Sequence, residues 1–147
     1  MSGPILGPVI AGIDGSTFSL QAAMFAAGIA RDLKLPLELV WVRQPVMLPP
    51  IDMYAETIEK LEVGEQQLAE QSLEKAAHSA PELASAKRVV LIGGIVEQLI
   101  TYANARNAGM VVVGSRGQGS LARVAFGSVA DGLVHSAHVP VLVFHPV

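Results

Sequence analysis

The 147-residue sequence has no cysteine, few aromatics (5%, with Trp41 the only tryptophan) and little charge (16%). Without cysteine there is no disulfide framework, no thiolate zinc site and no thiol nucleophile, which suits a reducing compartment. The charges nearly cancel, with ten Lys and Arg against thirteen Asp and Glu for a net charge of -3. No basic stripe with interleaved aromatics runs through the chain, so a nucleic-acid surface is not expected. Long apolar runs are missing too. The longest uncharged stretches, 15–30 and 132–147, contain Ser, Gln, Gly, His or Pro. Both fall below the ~18 residues a bilayer span requires, so no membrane partner is expected. The first thirteen residues are apolar but carry no basic n-region and are broken by Gly3, Pro4, Gly7, Pro8 and Gly12. They read as a tail entering a strand, and a cytoplasmic location is the expectation.

What is present is apolar: 51% of the residues are hydrophobic. A chain of this length buries roughly 70% of its unfolded surface, enough for one domain over 1–147 without a staple of any kind. Short β-branched runs alternate with longer helical patterns, and the runs are continuously apolar instead of alternating, as in a parallel sheet covered on both faces. The strands are expected at Val9 to Ile13, Leu37 to Val42, Arg88 to Ile92, Met110 to Val113 and Val141 to Phe144. Helices are expected from Ser16, a good N-cap, to about Leu33, from Asp52 to about Ala80, from Val96 to about Ala108, and from about Ser128 to Ser136. Pro49 and Pro50 mark an excursion over Val46 to Ile51.

Right-handed crossovers turn this βα alternation into one doubly wound, Rossmann-like open sheet of five parallel strands, order 3-2-1-4-5, with helices on both faces. In such a sheet ligands bind at the carboxyl ends of the strands where the winding reverses, here between the first and fourth strands. The loops at that point are Asp14-Gly15-Ser16 and the glycine-rich stretch opening at Gly114, the two most polar, turn-prone strand ends in the chain.

The second loop reads Gly114-Ser115-Arg116-Gly117-Gln118-Gly119-Ser120 and ends at Gly127-Ser128. Glycines after a buried strand permit positive φ and close backbone approach, so successive amides converge on an anion. Gly127-Ser128 opens a helix, whose unpaired first-turn amides make a second anion site. Loop chemistry alone leaves a plainer reading open, because Ser128 followed by Asp131 resembles a self-sufficient capping box. A Walker loop is excluded by the lack of Lys, and the GxGxxG fingerprint is absent after the first strand.

The spacing Gly114-x2-Gly117-x9-Gly127-Ser128 resembles the nucleotide-binding signature of the universal stress protein family, in its ATP-binding branch. Val9 to Ser19, with its Asp-Gly-Ser, resembles the family's opening strand and turn, and Pro140-Val141-Leu142-Val143 its closing strand. The resemblance implies that Asp14 is the acidic residue of the adenosine pocket and that the main chain at Val42 faces adenine. It also implies that Gly114, Gly117, Gly127 and Ser128 hold ribose and phosphates, with Arg116 and Val129 beside them as candidate further contacts. An Asx turn at Asp14, ordinary core packing at Val42 and a turn or pocket edge at Gly94 remain open alternatives.

No catalyst stands out. The loop has no Lys and no carboxylate to position a nucleophile, so ATP binding with slow or no hydrolysis is expected, Mg2+ bridging phosphates. His135 and His138 are spaced i, i+3 near a helix end without an evident third ligand, and the glutamates at 56, 59, 62, 65, 70 and 74 read as a solvated helix face. No metal site is therefore expected. The leading expectation is an ATP-binding regulatory or stress-response module, forming a homodimer through the edge strand Val141 to Phe144 and acting on an unidentified protein partner. The alternative is a dimeric interaction protein that binds no nucleotide or a different adenine nucleotide. A flavodoxin-like carrier would need aromatics flanking its ring system, and Trp41 lies inside a strand.

Overall fold

The computed structural model describes residues 6–47, 55–116 and 127–145. The chain runs β1 (Gly7–Gly12), α1 (Thr17–Leu33), β2 (Leu37–Arg43), α2 (Ala55–His78), a 3-10 turn (Pro81–Leu83), β3 (Lys87–Ile92), α3 (Ile95–Ala105), β4 (Ala108–Gly114), α4 (Ser128–Ser136) and β5 (Val141–Phe144). All pairings are parallel, in the order β3-β2-β1-β4-β5. This is the expected architecture. β1 lies at the centre, with Val9 opposite Leu37 of β2 on one side and Met110 of β4 on the other.

The unbroken apolar runs follow from this placement. Val9 and Ile10 both have 0% exposure although they point to opposite faces. Val9, Ala11, Leu39 and Val112 pack beneath alanines 22, 23, 26, 27 and 30 of α1 and Leu73, Ala76 and Ala77 of α2. Ile10, Val40, Val111 and Val113 pack beneath Leu99 and Ala103 of α3 and Ala130 and Leu133 of α4. Each large aliphatic side chain buried this way contributes about 1.5–3 kcal/mol, and the alanine face of α1 lets that helix lie close to the sheet.

Helix ends explain the boundaries. The Ser16 hydroxyl accepts from the Ser19 amide at 3.1 Å and starts α1, as expected of an N-cap. α3 stops at Ala105, short of the expected Ala108, because Asn107 adopts φ 50°. Asn tolerates this left-handed turn through its short polar side chain, and the chain leaves it directly into β4. The expected start of α2 at Asp52 and most of the Pro49-Pro50 excursion lie outside the described residues.

Two polar networks brace the fold. Glu38, 1% exposed near the start of β2, accepts from the Tyr102 hydroxyl and the Arg106 guanidinium at the end of α3. Burial, followed by the hydrogen bond to Glu38, pushes the Tyr102 phenol up to about 12. At the other end of β2, buried Arg43 pairs with Glu62 at 2.7 Å, and the same carboxylate accepts from the Val46 amide at 2.6 Å. Glu62 therefore departs from the expected solvated face, and the Val46 amide and Arg43 together hold its carboxyl below the usual range. The other five glutamates of that face are exposed as expected.

Candidate functional site

β1 and β4 are neighbours whose following connections leave in opposite directions, and a cavity of about 370 Å³ opens at their carboxyl ends. Small-molecule sites span ~300–1,000 Å³. The chain supplies its floor from Gly12, Ile13, Val40 and Val113 and its walls from the loops above them.

Asp14 lines one wall. Its Oδ1 accepts from the Ser16 amide at 2.9 Å and from the Ser16 hydroxyl, and its own amide meets the Ser19 hydroxyl at 3.3 Å. The Asx turn is therefore real, and it coexists with a place on the cavity wall. Gly15 completes the turn at φ 87°, a conformation that a side chain would strain. The turn fixes the carboxylate at the mouth of the crevice.

The opposite wall comes from the ends of the glycine loop. The Ser115 amide donates to the Phe144 carbonyl at 2.8 Å, and the Ser115 carbonyl accepts from the Gly127 amide at 2.5 Å. This neck holds the end of β4 against the start of α4. Gly114 is favoured as glycine by close approach and not by positive φ: a Cβ there would stand a tight 3.1 Å from the Arg116 carbonyl and 3.2 Å from Phe18. Gly117 lies outside the described residues.

Gly127, with extended backbone, is the N-cap of α4, and Ser128 is the first helical residue. The capping box suggested by Ser128 and Asp131 does not form in that sense, since the cap position carries no side chain. The first turn of α4, from Ser128 to Ala130, lines the cavity, so amides without partners in the helix lie at its edge.

Of the site residues expected from the sequence, Asp14, Val42, Gly114, Arg116, Gly127, Ser128 and Val129 all line this one cavity. Sequence reasoning missed Ser19, Trp41, Ile95 and Leu99, which also line it. Ile95 takes the edge considered for Gly94, which is the N-cap of α3 and does not line the cavity. The turn Gly93-Gly94 before an apolar helix start was the available signal. The apolar wall and the Asp14 carboxylate suit a flat heterocycle carrying hydroxyls, while the α4 amides and Arg116 suit anionic oxygens.

Among the described residues no cluster of three His, Asp or Glu stands close enough to hold a metal ion. His135 instead folds back on the Asp131 carbonyl at 2.9 Å. No helix among the described residues is long and apolar enough to cross a membrane.

The model of the Universal stress protein family matches residues 6–145. Universal stress protein Rv1996 of Mycobacterium tuberculosis is 35% identical over 148 residues, covering 92% of this chain and 47% of that protein. The chain thus spans about half the length of the mycobacterial relatives it matches. Among solved structures, the universal stress protein UspA from Lactobacillus plantarum superimposes with a TM-score of 0.75 at 20% identity, over 97% of this chain and 99% of that one. A universal stress protein in complex with cAMP gives 0.62 at 23% identity, over 95% and 96%. The universal stress protein from Archaeoglobus fulgidus in complex with dAMP gives 0.60 at 21%, over 95% and 98%.

Proposed function

The chain belongs to the universal stress protein family, and from that premise we propose that it is an ATP-binding regulatory module of the family's nucleotide-binding branch, with slow or no hydrolysis. The observation that carries the reading is the meeting of Asp14, Val42 and both described ends of the glycine loop on one cavity. In this reading adenine lies against the main chain at Val42 and the apolar wall of Val40, Ile95 and Leu99. Asp14 accepts from ribose hydroxyls. Gly114, Gly117, Gly127 and Ser128 hold ribose and phosphates, with Arg116 and Val129 alongside, and Mg2+ arriving with ATP would supply further neutralisation of the phosphate charge.

The neighbours solved with cAMP and dAMP support an adenine nucleotide as the ligand class. They also favour one variant of the alternative, a module that takes an adenine monophosphate in place of ATP. Mass spectrometry of small molecules released by denaturing freshly purified protein separates the two: ATP supports the first and a monophosphate the second.

Slow chemistry follows from the donor set. Efficient phosphoryl transfer needs a residue that positions the nucleophile and cations that neutralise the transferred group. The described cavity lining offers one carboxylate, Asp14, already engaged in its turn, and one cation, Arg116. Single-turnover assays with ATP and Mg2+ are expected to fall far below ~1 per second, the lower range of ordinary kinases. A rate in that range contradicts the binding-module reading.

A homodimer through Val141–Phe144, in the cytoplasm and acting on a further protein, is part of the same proposal. β5 is an edge strand, an arrangement soluble proteins seldom leave bare. Beside it Phe25, 47% exposed, packs against Phe144 with ring centroids 5.4 Å apart and the rings tilted by 37°. Light scattering at micromolar concentration is expected to give twice the chain mass; a monomer contradicts the dimer.

A further inference from the structure

Arg116 is the one Lys or Arg among the described residues lining the cavity. Its guanidinium carbon lies 5.7 Å from the centroid of the Phe18 ring. Phe18, half-buried at the start of α1, also closes on Gly114 so tightly that its Cβ would stand 3.2 Å from a Cβ placed there. Phe18 thus has its backbone and Cβ against the last residue of β4 and its ring against the guanidinium two residues on. An arginine side chain has up to ~2 kcal/mol of rotamer entropy to lose when it is fixed. An aromatic face attracts a guanidinium through its π cloud without using an N–H donor for the contact.

We propose that Phe18 is a positioning residue: it seats the Arg116 guanidinium on the cavity wall so that this cation reads the phosphate charge of the bound nucleotide. The inference rests on the nucleotide-binding reading above and adds to it a charged element, beside the backbone amides, that separates phosphorylated from unphosphorylated ligands. Its signature is an effect of Phe18 that grows with the number of phosphates, although the ring itself touches only protein.

Calorimetric titration of the full chain with ATP, AMP and adenosine tests it, in wild type, Arg116→Gln, Phe18→Leu and Phe18→Tyr. Arg116→Gln is expected to weaken ATP about tenfold, as for a lost charge-assisted hydrogen bond, and to leave adenosine within twofold. Phe18→Leu is expected to weaken ATP about two- to fivefold, the factor a cation–π contact at a partly exposed site supplies. Adenosine is expected to be unchanged by it, and Phe18→Tyr to bind like wild type. In ligand-free protein, the Arg116 side-chain protons are expected to show an upfield ring-current shift that Phe18→Leu removes. If Phe18→Leu weakens ATP and adenosine equally, or neither, or if wild type lacks the ring-current shift, the positioning role is wrong while nucleotide binding stands. If wild type binds neither ATP nor adenosine, the nucleotide reading is wrong and this inference falls with it.

Discussion

The carbonyl of Ser115 accepts a hydrogen bond from the amide of Gly127, so the end of β4 and the start of α4 meet at one point although eleven residues separate the two in sequence. Gly114 and Ser128 face the same cavity because of this neck. Gly114→Val is expected to force the neck apart, since even a Cβ meets the Arg116 carbonyl at 3.1 Å. Nucleotide affinity is predicted to fall at least tenfold, a loss of about 1.4 kcal/mol. Calorimetry checks this, and a fall below twofold contradicts the site.

Ser128 separates ligand contact from helix capping. Because Gly127 occupies the cap position and Ser128 the first helical one, Ser128→Ala removes no side-chain cap, and alanine is a good helix former. Ligand-free stability is expected to change by less than about 0.5 kcal/mol. Nucleotide binding is expected to weaken by about 1 kcal/mol for one lost hydrogen bond. Denaturant melts with and without ligand measure the two effects separately.

Tyr102 predicts a loss of stability in alkali. Its folded pKa is raised to about 12, chiefly by burial and then by the hydrogen bond to Glu38. A raised folded value means that this contribution is complete below the unfolded phenol value of ~10 and is lost as pH rises from there to about 12. Urea midpoints at pH 9 and pH 11.5 are expected to fall more steeply in wild type than in Tyr102→Phe. At pH 8, Tyr102→Phe is expected to cost about 1–2 kcal/mol, because it leaves the buried Glu38 with Arg106 as its remaining donor among those described above.

Glu62 predicts the opposite limb. Its carboxyl is lowered by the Val46 amide first and Arg43 second. A lowered folded value gives stability that is present above the ordinary carboxylate range and is lost as pH falls through the lowered value. Acid titration of stability is expected to be flatter in Glu62→Gln than in wild type. Parallel curves contradict the pairing.

The sheet was legible in the sequence because burial on both faces leaves a plain mark: runs such as Val111-Val112-Val113 admit no polar residue. β5 matched residue for residue and α4 begins where it was expected to, since Pro140 and Gly127 punctuate their starts. The end of α3 was not legible because Asn107 takes a left-handed turn that nothing in the helical periodicity announces. At the cavity, the loops at Asp14 and Gly114 were readable from the topology, and Asp14, Gly114, Gly127 and Ser128 from the resemblance to the family's signature. Ile95 and Leu99 were not, because an apolar residue lining a cavity and one filling a core look alike in sequence. Phe18 escaped for a related reason: its role depends on Arg116, which is distant along the chain and adjacent only once β1 and β4 pair.

The central claim is tested most directly by titrating the full chain with ATP, with GTP as control, following heat and thermal stability together. The account predicts one saturable ATP site per chain, weak or no GTP binding, and stabilisation of about 2.7 kcal/mol at ligand 100 times above the dissociation constant. No saturable binding of ATP at millimolar concentration, or equal binding by Gly117→Val and wild type, would contradict it.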